Sequence, residues 1–156
     1  KEPYILCYLL GNNEEHWRKI KKFSKRCKLK LFIIPKYEKD YGRSDHICEN
    51  VAPGEFLGLI KNASYVCTDS FHGAIFSFIY QRPLFVFKRF KDSDTISQNF
   101  RIYNFVKTFE LQDILIDRYE KMKEDYDFEE RYIKSAIILE SEKNKSLEYL
   151  MEALKN

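Results

Sequence analysis

The chain has 156 residues, 44% hydrophobic and 16% aromatic, enough for one domain with a packed core. Charged residues make up 33%, but 27 Lys and Arg nearly balance 24 Asp and Glu, and a net charge of +3 is too mild for a nucleic-acid binder. No apolar run reaches the length of a membrane span and no signal peptide opens the chain. It begins at Lys1 and enters an apolar stretch almost at once, as expected of a piece cut from a longer protein.

Strand and helix signals alternate, which predicts an α/β unit with a parallel sheet. Residues 4–10 read as a first strand, ended by Gly11-Asn12. Residues 14–27 read as a helix, with Glu14 and Glu15 at its positive end and lysines toward its negative end. Leu29 to Ile34 is a second strand, stopped by Pro35, and 36–50 is expected to be a polar, irregular surface loop. Pro53 suits the first turn of a short helix through Lys61.

Tyr65-Val66-Cys67 reads as a third strand, and Thr68 or Ser70 can cap the helix that follows to about Tyr80. That helix is apolar nearly all round, which predicts a central, covered element. Pro83 breaks it before a fourth strand, Leu84-Phe85-Val86-Phe87. Lys88 to Asn99 reads as a mobile polar loop, 100–109 as a helix and Asp113 to Ile116 as a short fifth strand. A terminal helix region covers 126–155, with the polar run 140–146 either facing solvent or breaking it. There is no internal repeat.

Cys7, Cys27, Cys48 and Cys67 show no CxxC spacing and read as reduced, mostly buried thiols. With His16, His46 and His72 they form no zinc pattern, and no phosphate loop or dinucleotide fingerprint is present, so no metal or cofactor is expected. His16 and His46, among charged residues, read as plain surface, and Trp17 as core.

Ligands of an open parallel sheet bind beyond the carboxyl ends of its strands. Three segments have that address: Gly11-Asn12, Thr68-Asp69-Ser70-Phe71-His72-Gly73 and Lys88-Arg89. The second is richest, because a helix N-terminus offers unpaired N–H groups and partial positive charge to an anion. His72 falls in the first turn, where an imidazole can contact that anion and move a proton, and Gly73 leaves room for close approach. The bland alternatives are that Asp69 and Ser70 only cap the helix, that His72 is a core histidine, and that Lys88 and Arg89 are solvated loop charges.

The segment from Gly54 to Ser77 resembles the signature of the polysaccharide pyruvyl transferase family: a helix ending in Asn62-Ala63, a strand, then Thr68-Asp69-Ser70-Phe71-His72-Gly73 and a helix containing Phe76-Ser77. Pro83 to Phe87, the opening Pro3-Tyr4-Ile5-Leu6, Asn99-Phe100-Arg101-Ile102 and Ser146 to Leu154 fit the same resemblance. It implies that residues 1–156 form a Rossmann-like, three-layer domain with four to six parallel strands, similar to the second domain of a glycosyltransferase-B-type enzyme. It further implies a missing N-terminal domain.

The implied reaction moves pyruvate from phosphoenolpyruvate, as a ketal, onto a sugar or lipid-linked glycan of a cell-surface polysaccharide. The setting would be bacterial and cytoplasmic, with a peripheral place at the inner face of the membrane left open. His72 would be the catalytic residue. Thr68, Asp69, Ser70, Gly73, Gly11, Lys88, Arg89 and Arg101 would bind substrate. Many relatives carry an arginine two positions before the histidine. Ser70 stands there in this chain, so Arg101, Lys88 or Arg89 would supply the charge. A nucleotide-sugar glycosyltransferase and a non-catalytic anion-binding domain are the alternatives. By itself the isolated domain would be inactive, since its cleft lacks one wall.

Overall fold

A computed structural model of the chain describes residues 2–95, 97–117, 122–123 and 127–155. Ile96, within the expected polar loop, and residue 126, at the start of the expected terminal helix region, lie outside the described residues.

Six strands form one all-parallel sheet: β1 (Tyr4–Tyr8), β2 (Lys30–Ile33), β3 (His46–Ile47), β4 (Tyr65–Thr68), β5 (Leu84–Phe87) and β6 (Leu115–Ile116). Their spatial order is β3-β2-β1-β4-β5-β6. The chain therefore starts in the middle, builds outward to β3, then returns to lay β4 against the other side of β1. The topological switch falls between β1 and β4, where Cys7 pairs with Cys67 and Tyr8 with Thr68. This is a Rossmann-like α/β arrangement.

Helices α1 (Glu14–Cys27), α2 (Pro53–Asn62), α3 (Phe71–Ile79), α4 (Asn99–Thr108) and α5 (Phe128–Ala153) cover the sheet. In α1 the stripe His16, Trp17, Ile20 and Phe23 is buried, and Phe23 meets Tyr65 and Phe85 edge-on. The α1 start is fixed by Asn13, whose Oδ1 accepts from the Glu15 N–H at 3.0 Å, and its end by Lys28 in the left-handed region. The interior strand β5 is buried along its whole length, as its continuous apolar run requires.

Four expectations need correction. Residues 36–50 are not an irregular loop throughout: Glu38–Arg43 forms a 3₁₀ turn and His46–Ile47 the edge strand β3. The organiser is Asp40, which is buried, accepts from the Lys36 and Tyr37 N–H groups, and pairs with Arg43 at 3.0 Å. Arg43 in turn lies over Trp17, 4.6 Å from its ring.

His16 is buried, not surface, and His46 is half-buried, stacked on Phe32. The α3 helix is not covered all round, since Ile79 and His72 are exposed and only one face, with Gly73, Ala74, Ser77 and Phe78, is buried. The expected fifth strand begins as a 3₁₀ turn over Gln112–Ile114, and only Leu115–Ile116 pairs, in parallel with β5.

The question left open over 140–146 is settled in favour of continuity. α5 runs unbroken through that stretch, burying Phe128, Tyr132 and Ser135 near its start and exposing Leu147, Leu150, Met151 and Leu154 near its end.

Candidate functional site

The β4–α3 junction is built by its own hydroxyls. Thr68 Oγ1 donates to the Tyr8 carbonyl at 2.6 Å and accepts from the Ser70 N–H at 3.0 Å, tying β4 to β1 as the chain leaves the sheet. Ser70 is the N-cap of α3, its Oγ accepting from the Gly73 N–H at 3.3 Å. Gly73 is required by space. A Cβ there would fall 2.7 Å from Thr68 Oγ1 and 3.3 Å from the Tyr8 ring.

Asp69 reaches sideways across the switch point. Its two carboxylate oxygens accept from the Leu10 and Gly11 N–H groups at 2.7 and 2.8 Å, fixing the turn after β1. Burial pushes the Asp69 carboxyl above the usual carboxylate range, against the two amide donors and the Arg89 charge, which pull it down. Arg89 is held by the same group. Its Nε stands 3.7 Å from Asp69 Oδ1 and its Nη2 donates to the Asp69 carbonyl at 3.1 Å. Arg89 Nε is buried without a hydrogen bond to any described residue.

These bonds decide what remains for a ligand. The hydroxyls of Thr68 and Ser70 and both oxygens of Asp69 are engaged inside the fold, all three residues being buried. The Gly73 N–H goes to Ser70 Oγ and the Ala74 N–H to the Ser70 carbonyl. The Phe71 and His72 N–H groups have no hydrogen-bond partner among the described residues, so the first turn keeps two donors open.

The exposed His72 side chain flanks the Phe71 ring at 5.8 Å, and the Arg101 guanidinium lies 5.4 Å from the same ring. The arrangement is a helix N-terminus with two arginines and an imidazole around it, chemistry suited to a phosphate or carboxylate.

Lys88 is not part of that group. Its ammonium bridges Asp92 and Asp117, each at 3.2 Å; against burial, which lowers it, the interaction with Tyr103 and then these two carboxylates holds it above the ordinary lysine range. β5 thus ends by sending Arg89 toward the β4 side and Lys88 toward the β6 side.

Sequence reasoning missed Asn99, buried at the head of α4, which stitches the 88–98 segment by donating to the Phe90 carbonyl at 2.8 Å and accepting from the Phe90 N–H at 3.3 Å. It also missed Tyr37, whose hydroxyl donates to the Leu10 carbonyl at 3.0 Å. Asn99 stood in the Asn99-Phe100-Arg101-Ile102 resemblance but without this bonding role, and Tyr37 left no signal, because its partner is distant in the chain. His16 did leave one, the helical spacing 16, 20, 23.

Among the described residues no group of three or more His, Cys, Asp and Glu could hold a metal ion, and no helix is long and apolar enough to cross a membrane.

Fold and site together define a Rossmann-like α/β domain with a helix N-terminus and two arginines at its switch point. The chain belongs to the polysaccharide pyruvyl transferase family, whose model matches residues 2–89, from β1 through Arg89.

Among solved structures the chain is similar to the UDP-GlcNAc 2-epimerase from Methanocaldococcus jannaschii, with a TM-score of 0.52 and 18% identity over 87% of this chain and 38% of that one. That likeness is one of fold alone, and the chain spans well under half the length of that enzyme. No curated protein matches the chain.

Proposed function

We propose that this chain is the donor-binding domain of an enzyme that transfers pyruvate from phosphoenolpyruvate to two hydroxyls of a glycan, forming a cyclic ketal. The observation carrying this reading is the family match, which spans the whole β4–α3 junction. The Phe71 and His72 amides, Arg89 and Arg101 supply the positive field that the phosphate and carboxylate of such a donor need.

In this reading His72 is the proton carrier. A proton delivered to the methylene carbon of phosphoenolpyruvate leaves cationic character on the carbon bearing the phosphate. One glycan hydroxyl adds there, the C–O bond to phosphate breaks, and the second hydroxyl closes the ketal. Of the two hydroxyl protons, one restores His72 and the other departs with the phosphate, which leaves as the anion the arginines already face. Ser70 does not contribute charge in this scheme; it holds the helix in place while Arg89 and Arg101 neutralise the donor.

The test uses the full-length protein. Phosphate release from phosphoenolpyruvate in the presence of a glycan acceptor should fall by about 10²–10⁴-fold in His72→Ala, the usual range for a lost acid–base group. Unchanged turnover removes His72 from the chemistry. Thermal stabilisation by a nucleoside diphosphate but not by phosphoenolpyruvate would assign the seat to a nucleotide-sugar donor instead.

A further inference from the structure

Helix α5 is held to the domain at its start, where Phe128, Tyr132 and Ser135 are buried and the Tyr132 hydroxyl donates to the Arg82 carbonyl. On another face it exposes Ile133, Ile137, Leu147, Leu150, Met151 and Leu154. Six large apolar side chains on one helix are more than the scattered exposure a surface normally shows. The face also has a regular seam. Ile133, Ala136, Glu140, Lys143, Leu147 and Leu150 follow one another at alternating intervals of three and four, the spacing of a coiled-coil contact.

The order of residues along this seam specifies its occupant. Consider a second copy of α5 laid antiparallel, with the two-fold axis between residues 141 and 142. Ile133 then meets the partner's Leu150, Ala136 meets the partner's Leu147, and Glu140 meets the partner's Lys143. The same three contacts recur with the roles of the copies exchanged. A two-fold interface needs this self-complementarity, since one patch must fit itself. Parallel pairing would set Glu140 against Glu140 and Lys143 against Lys143, so charge decides the direction. Both charges are exposed and paired within their own helix at 3.4 Å, free to extend to a neighbour.

The surroundings of the seam fit the same register. An open apolar groove of about 540 Å³ lies beside Ile133 and Ala136, backed by Gln81, Pro83 and Phe128. The partner's Leu150, opposite Ile133, falls at its mouth. Pro83 precedes β5, so the groove sits at the opposite edge of the sheet from the β4–α3 junction, and pairing leaves the switch point open.

We infer that the chain forms a two-fold homodimer through antiparallel pairing of α5, with reciprocal Glu140–Lys143 ion pairs between apolar layers.

Sedimentation equilibrium of the full chain at roughly 10–500 μM tests this, and a monomer–dimer equilibrium is expected in that range. Glu140→Lys and Lys143→Glu should each weaken self-association about tenfold, because both central pairs become repulsive. An equimolar mixture of the two variants should recover the wild-type affinity. Unlike chains restore both ion pairs between copies, whereas the pair within each helix stays repulsive, so recovery cannot come from helix stability. Leu150→Glu, on an exposed side chain, should keep its circular dichroism spectrum and be monomeric. A wild-type monomer throughout, charge variants that associate as wild type, no recovery on mixing, or a Leu150→Glu dimer would each overturn the inference.

Discussion

Gly11 lies directly against the Asp69 carboxylate. Asp69 Oδ2 accepts the Gly11 N–H at 2.8 Å and also stands 2.8 Å from where a Cβ on residue 11 would fall. The turn after β1 and the junction after β4 are therefore one unit, and Arg89, whose Cγ would be 3.1 Å from the same Cβ, is its third member.

Gly11→Ala must displace either the carboxylate or Arg89. It should cost roughly 1–3 kcal/mol, as overpacking of a closed site does. Asp69→Asn should cost a similar ~1–3 kcal/mol, because an amide NH₂ would oppose either the Leu10 or the Gly11 N–H. Chemical denaturation measures both; stability equal to wild type would show that the turn is not held through Asp69.

Ser70→Ala removes the N-cap of α3 and should destabilise by about 1 kcal/mol. His72→Ala, one residue into the helix but exposed, should stay within about 0.5 kcal/mol of wild type. Thermal melts of the pair distinguish the residue that builds the turn from the one proposed to act on a ligand.

Burial, with the Lys19 charge adding to it, depresses His16 from its ordinary value to about 4. A histidine with a lowered folded value contributes no pH penalty above the unfolded value. Below that, the unfolded chain gains a proton that the fold refuses, so stability falls as pH drops toward 4. About 1–2 kcal/mol should be lost through this group between pH 7 and pH 5. Urea unfolding of wild type and His16→Gln at the two pH values checks it: the variant should lose less on acidification, and equal losses would exclude His16 as the source.

Arg89→Gln should weaken binding of inorganic phosphate by roughly tenfold, the loss of one charge-assisted contact, and flatten its dependence on salt. Calorimetric titration at two ionic strengths reads both effects. An unchanged affinity would leave Arg101 and the helix terminus as the whole seat.

The elements around the site were legible in sequence because their signals are local. Glu14–Cys27 emerged from its acidic start and basic end, and α3 from a hydroxyl cap after an apolar strand. The edge strand β3 was not, because two residues carry no periodicity and its pairing with Phe32 and Ile33 depends on Asp40 folding the preceding turn. The terminal helix was foreseen, but its continuity across 140–146 was not, since polar residues there neither pack nor break.

The sequence by itself determined the alternation of strands and helices, the family signature between Gly54 and Ser77, and the presence of a helix start beside cationic residues. Only the tertiary structure decided how those residues divide their labour. Thr68, Asp69 and Ser70 turn inward to hold two loops together, Arg89 joins them, and Lys88 turns away to its own pair of carboxylates. The reason is geometric: β1 and β4 are neighbours in space but lie some sixty residues apart in the chain, and no local pattern records which donor meets which acceptor across that gap.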